Sequence, residues 1–268
     1  MAQFVSRLPD SRLRPYVKVY FWGYDSHAPR VQRIVPNGEM GLCFYRSNPV
    51  IYDGVGSVDS CLAGQSLHYQ DIISIDGRVE IVGAEFTTLG ACLFFQTPLQ
   101  EYFGKTVLLS DLQDRELANL EDGIMNTPGA YACFDLMDGF FLNRMANSKA
   151  DAMNLRRLQR ALAYGMSHTV NARIDEFAME ACLSPRHFSR LFSSMAGLTP
   201  KDYMRLQRYR TALHELRKPG STLTSVALDC GYYDHSHMIH EFKTISGYSP
   251  AQLVGLSESD SDTYGWRL

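Results

Sequence analysis

The chain has no cysteine pair at CxxC spacing, no apolar run long enough to cross a membrane and no excess of basic charge. Its six cysteines, Cys43, Cys61, Cys92, Cys133, Cys182 and Cys230, are scattered over 268 residues. That spacing excludes a disulfide framework and points to reduced, buried thiols in a cytoplasmic protein. The most apolar stretch, 81–99, is interrupted by Glu85, Thr87, Thr88, Gln96 and Pro98, so no membrane partner is expected. Arg7, Arg12 and Arg14 lie among polar residues with no signal-peptide core between them. GxSxG, P-loop and HExxH signatures are all missing, and the first half holds only His27 and His68; no enzyme and no cofactor are expected. What remains is a folded chain, 45% hydrophobic and 21% charged, of a length that suggests two domains.

A net charge of −3 argues at first sight against a nucleic-acid partner. The average conceals a split. Residues 1–150 carry 12 basic and 17 acidic side chains, residues 151–256 carry 13 and 9, and the last twelve residues are again acidic. The first part reads as β-rich to about residue 110: Val17–Trp22, Gly41–Tyr45, Cys61–Ala63, Asp71–Ile75, Val79–Phe86 and Ala91–Phe95 are short runs rich in aromatic and β-branched residues with turn residues between them. Such spacing suggests a small sandwich or barrel. Helical periodicity takes over at Leu117–Met125 and Ala130–Met145, the second with an apolar face wide enough either to cover the β-domain or to dimerise. The fold class expected is therefore α+β: a β-rich domain over 1–146, a linker over 147–152, an all-α domain over 153–256 and an acidic, poorly ordered tail over 257–268.

The basic half repeats itself at an offset of 50 residues. Phe192, Gly197, Thr199 and Pro200 recur as Phe242, Gly247, Ser249 and Pro250, and Ser184 and Phe188 correspond to Asp234 and Met238. Each copy reads as a short helix, a tight turn and a second helix. Ser184 and Asp234 can cap the second helices, and Gly197 and Gly247 can end them at positive φ. Phe188, Leu191, Phe192 and Met195 form one apolar stripe, which leaves Arg186, His187, Ser189 and Arg190 for solvent. A basic helix-turn-helix in two copies suits the DNA major groove. Helix pairs also build protein-binding solenoids, although those normally need three repeats.

The run Leu183–Phe192 with Gly197-Leu-Thr-Pro-Lys-Asp-Tyr203, and then Gly231-Tyr232, Asp234, Ser236-His237, Glu241-Phe242-Lys243, Gly247 and Ser249-Pro250, resembles an AraC/XylS-type DNA-binding domain over about 153–256. The resemblance implies a transcription regulator with seven helices, in which two helix-turn-helix units joined by a long helix at about 200–217 enter adjacent major-groove turns of double-stranded DNA. Leu13-Arg-Pro-Tyr-Val17, Val35-Pro-Asn-Gly-Glu39, Gly64-Gln65 and Gly83-Ala-Glu-Phe86 resemble the cupin-like sensor domains that precede this module. That implies a small-molecule effector, with RNA polymerase and a homodimer as further partners. The alternative is a cupin-like binding protein or enzyme with an accessory helical module.

Mapped onto this sequence, the base-contacting positions are Arg186, Ser189 and Arg190 in the first unit and His235, Ser236 and His240 in the second. Arginine suits guanine because its fork matches the O6/N7 acceptor pair. The second unit departs from the family pattern at His240, where arginine is usual, and at Glu241, where a small residue is common, which implies looser reading by that half. His187, Lys201, Arg205, His237 and Lys243 are candidates for the DNA backbone; Arg208 and Arg210 could join them, Arg208 having a structural ion pair as its alternative. His235, His237 and His240 near Cys230 invite a metal, but no second ligand pair stands at zinc spacing, so none is expected. For an effector pocket the candidates are Tyr20, Trp22, Glu39, Phe44, Glu85 and Phe94, aromatic or acidic residues on or near expected strands.

Overall fold

The computed structural model describes residues 3–28, 30–167 and 173–255; the acidic tail expected from 257 lies outside the described residues. Among the described residues ten strands come first: β1 Gln3–Arg7, β2 Val17–Asp25, β3 Val31–Ile34, β4 Gly41–Tyr45, β5 Val50–Tyr52, β6 Gly56–Val58, β7 Ser60–Ala63, β8 Gln70–Ser74, β9 Val79–Phe86 and β10 Thr106–Leu108. They form a six-stranded sheet in the order β1-β2-β9-β4-β7-β10 and a four-stranded sheet in the order β3-β8-β5-β6. All pairings are antiparallel. Alternation divides the central strands of the larger sheet between two cores. Phe21, Cys43, Tyr45, Cys61, Val79 and Ile81 pack against Val50, Tyr52, Val58 and Ile72 of the smaller sheet. Tyr20, Phe44, Val82, Ala84 and Phe86 face the opposite way, onto helices α1 (Arg115–Asn126) and α2 (Ala130–Ala146). The wide apolar face of α2 thus covers the sandwich, burying Phe134, Met137 and Phe141 and leaving Tyr131 61% exposed.

The segment expected as a strand at Ala91–Phe95 is instead a 3₁₀ turn, Ala91–Leu93. Phe94 and Phe95 both pack against the Phe86 ring, tilted and edge-on, with centroids at 5.7 and 5.8 Å. Two consecutive side chains can reach one ring only where the backbone coils, because a strand sends neighbours to opposite faces. The cysteines also divide. Cys43, Cys61, Cys133 and Cys230 are buried, but Cys182 is exposed, at φ 54°.

Seven helices follow among the described residues: α3 Ala152–Ser167, α4 Ile174–Glu180, α5 Pro185–Ala196, α6 Pro200–Leu216, α7 Leu223–Asp229, α8 His235–Ser246 and α9 Pro250–Gly255. Their core gathers Leu158, Phe177, Phe188, Phe192, Leu206, Tyr209, Met238, Phe242 and Ile245, and it takes in Leu67 and Leu89 from the β-domain. The two parts therefore share one apolar core. No helix among the described residues is long and apolar enough to cross a membrane.

Candidate nucleic-acid interface

The two repeat copies fold alike. Ser184 accepts a hydrogen bond from the His187 amide (3.3 Å) and Asp234 one from the His237 amide (2.7 Å). Each bond satisfies an amide that the start of a helix leaves unpaired. The far ends stop at Gly197 (φ 87°) and Gly247 (φ 76°) in the left-handed conformation, which costs glycine nothing. Between the copies, α6 starts at Thr199, whose hydroxyl accepts from the Asp202 amide (3.1 Å). The Ser249–Gln252 box caps α9 reciprocally.

Inside this frame the stripe forms as its spacing predicts: Phe188 and Phe192 are buried, while Arg186, His187 and Arg190 are exposed and Ser189 half-buried. On α8, Met238 and Phe242 are buried while His235, Ser236, His237 and His240 are exposed. The residues expected to contact bases thus lie on the solvent faces of two equivalent helices. Lys201 and Lys243 are exposed as well.

Glu241 does not join that face. It is 4% exposed and turned inward against α6, where Arg205 Nε reaches it at 3.1 Å and Arg208 Nη2 at 3.0 Å. Burial by itself would raise its carboxyl, but the Arg208 and Arg205 bonds hold it below the ordinary glutamate range. The Arg208 guanidinium also lies over the Tyr232 ring, 4.7 Å from its centroid. The departure from the family pattern at Glu241 therefore builds the joint between α6 and α8 and sets no negative charge toward DNA. Arg205, expected on the DNA backbone, is engaged in the same joint. Arg208 takes its structural alternative, between helices rather than within one.

The pocket candidates separate by face. Tyr20 packs on Phe134 and Phe141 and donates to Asp138 (2.9 Å), and Trp22 donates to Glu80 (2.9 Å). Phe44 and Phe94 belong to the core beneath α2. Phe94, outside the strands, lines a separate cleft with Asp114 and Arg144; Tyr20, Trp22 and Phe44 are turned by strand alternation away from any cavity between the sheets. Glu39 and Glu85 do line one, of about 80 Å³, with Asn37, Met40, Cys43, Tyr45, Tyr52 and Ile81 around it. Lys18 Nζ lies 2.8 Å from Glu39 and 3.7 Å from Glu85, and Asn37 donates to Glu85. Burial, and then the neighbouring Glu39, push the Glu85 carboxyl up to about 9, so it holds a proton at neutral pH. Tyr45 and Tyr52 join hydroxyls at 2.6 Å across the cavity wall. Sequence reasoning missed Lys18 and Asn37. A lysine between Val17 and Val19 in an apolar strand was the available signal.

Residues 177–255 match the family described as a helix-turn-helix domain, and residues 6–108 match a domain of unknown function, DUF6597. Over 80 residues the chain is 36% identical to the HTH-type transcriptional regulator Rv1931c of Mycobacterium tuberculosis, covering 30% of this chain and 31% of that one. Over 101 residues it is 31% identical to the HTH-type transcriptional activator RhaS of Klebsiella pneumoniae, covering 37% and 36%. The chain thus aligns with about a third of the length of these curated relatives. ToxT from Vibrio cholerae aligns over 94% of this chain and 97% of its own at 12% identity, with a TM-score of 0.47. Two equivalently capped helices, the Gly-x-Thr/Ser-Pro repeat and the family match thus give residues 177–255 of this chain a helix-turn-helix domain of the AraC type.

Proposed function

We propose that the protein is a sequence-specific DNA-binding transcription regulator that lays α5 and α8 into adjacent major-groove turns. The observation that carries this reading is the pair of equivalently capped helices presenting Arg186, Ser189 and Arg190, and His235, Ser236 and His240, on solvent-exposed faces. Arg186 and Arg190 are the guanine readers, while the histidines and Ser236 of α8 offer shorter, less discriminating contacts. His187, His237, Lys201 and Lys243 hold the phosphates, with Arg205 contributing only what its joint with Glu241 leaves available.

The N-terminal sandwich is the sensor in this reading, and the cavity at Glu39 and Glu85 is where a small effector binds. An effector acts by binding one arrangement of the protein better than another. Two further partners belong to the same reading: RNA polymerase, and a second copy of the chain, for which Tyr131 and Leu136 on the outer side of α2 are exposed. A regulator of this kind works in the cytoplasm and catalyses nothing.

Binding-site selection on the intact protein tests the proposal. Arg186→Ala or Arg190→Ala should cost about 1–3 kcal/mol on the selected site and relax the preference at one base position. Selection of the same site by both variants would remove α5 as the main reader.

A further inference from the structure

The N-terminal domain holds the helical domain from behind, at three points. At the end of α5, Gln65 Nε2 donates to the carbonyl of Ala196, and a Cβ on Gly197 would lie 3.3 Å from the Leu99 carbonyl oxygen. On α6, Arg210 Nη1 donates to the Asn37 carbonyl at 3.0 Å, and Gly38 packs against Leu206. At the end of α8, the Arg33 guanidinium lies between the rings of Tyr69 (3.7 Å) and Tyr248 (5.0 Å). A Cβ on Gly247 would collide with Arg33 and come within 2.8 Å of Tyr69. The same domain therefore touches the C-terminal glycine stop of both recognition helices and the helix that joins them.

Two observations give these contacts a role beyond packing. Gln65 is 2% exposed, and its Oε1 has no hydrogen-bond partner, so its amide reaches α5 while leaving an acceptor of its own unsatisfied. Such an arrangement is not what folding of the sandwich alone would select. Arg33 is oriented by a bidentate pair with Asp71 (2.8 Å for each bond) across β3 and β8, so a rigid strand pair holds the group that meets α8. The opposite ends of α5 and α8, with Arg186, His187, His235 and Ser236, stay exposed.

We propose that Arg33, Asn37 and Gln65 are positioning residues for DNA reading: through them the N-terminal domain fixes the placement of α5 relative to α8, and so the spacing between half-sites that the protein accepts, while leaving the DNA face open. The proposal rests on the reading of α5 and α8 as the two DNA readers. It assigns the N-terminal domain the part of a splint and not of a cover. Stacking and the bidentate pair both need a planar guanidinium, so lysine at position 33 restores the charge without the function.

The test uses the full-length chain with Cys182→Ser, spin-labelled at cysteines placed at Ser193 and Lys243, and reads the label-to-label distance distribution without DNA. Arg33→Ala, Gln65→Leu and Arg210→Ala should each broaden a narrow distribution, and Arg33→Lys should not restore it, with near-UV circular dichroism showing that the fold persists. A distribution as narrow in the Arg33→Ala/Gln65→Leu double variant as in the parent overturns the proposal. In parallel, unlabelled proteins select from libraries of two half-sites at varied separation. The variants should keep affinity for a single half-site within about twofold and lose at least fivefold of the preference for the parent's favoured spacing. An unchanged spacing preference also overturns it. A parent that broadens as expected on substitution yet selects no DNA sequence removes the reading of the helices as readers, and the splint then has no operator to set.

Discussion

Replacing Glu241 by Gln keeps the shape of the joint between α6 and α8 and removes its charge. Arg205 and Arg208 would then share a half-buried site with no carboxylate between them, because they approach Glu241 at 3.1 and 3.0 Å. Breaking one side of such a pair should cost about 2–3 kcal/mol in urea unfolding, somewhat below the cost of a fully buried one; a loss within error of zero would mean that solvent already screens the pair. Because the folded-state carboxyl lies below its ordinary value of 4.5, its contribution is present above that pH and lost as the pH falls through the folded value. The wild-type advantage over Glu241→Gln should therefore disappear on the acid side. Glu85 has the opposite sign. Its folded carboxyl is pushed up to about 9, so its contribution is full below the unfolded value of 4.5 and is lost as pH rises toward 9. Across pH 5–9 the Glu85→Gln variant should gain steadily on the wild type as the pH rises. Thermal unfolding across that range checks this, and parallel stability curves would refute a proton held between Glu85 and Glu39.

The two helix starts offer the cleanest change among the elements. Ser184→Ala and Asp234→Ala each remove one side-chain acceptor from an otherwise unpaired amide, and each should cost about 1 kcal/mol. Hydrogen exchange should locate the loss in the first turn of α5 for one variant and of α8 for the other; equal protection in both would show the caps to be redundant. These caps, the glycine stops and the apolar stripe were legible in the sequence because each follows from residues within one helical turn. The strands Gly41–Tyr45 and Val79–Phe86 were legible for the same reason, being runs dense in β-forming residues. What the sequence left hidden involves partners distant along the chain. Which face of the sheet Tyr20 and Phe44 occupy depends on α2, more than 80 residues later, and no count of alternation chooses between two buried faces. Glu241 showed in the sequence only as a departure from the family pattern, because the partners that explain it lie 33 and 36 residues earlier. The contact of Arg33 with the end of α8 has no local signature at all.

On the scale of the whole molecule, charge is unequally distributed and part of it is already committed. Residues 151–256 carry four more basic than acidic side chains, and Arg205 and Arg208 among them are tied to Glu241. On the proposed reading, the exposed cations left to the DNA face are Lys201 and Lys243 with Arg186 and Arg190. The logarithm of operator affinity against the logarithm of salt concentration should fall with a slope of about −3 to −4, shallow for a reader with two helices. Fluorescence anisotropy over a salt series measures it, and a slope near −8 would mean that Arg205 and Arg208 leave their joint on the DNA. The two segments that hold the helix ends, 33–38 and 64–69, also supply much of the wall of the Glu39–Glu85 cavity. On the proposed reading, effector and DNA would therefore act on the same stretches of chain, with no relay between them. Linkage makes that arrangement symmetrical: whatever factor an occupant of the cavity imposes on operator affinity, the operator imposes on the occupant. DNA of the accepted spacing should then act on the sandwich as an effector in its own right, tightening or loosening the cavity's hold on its contents from the far side of the molecule.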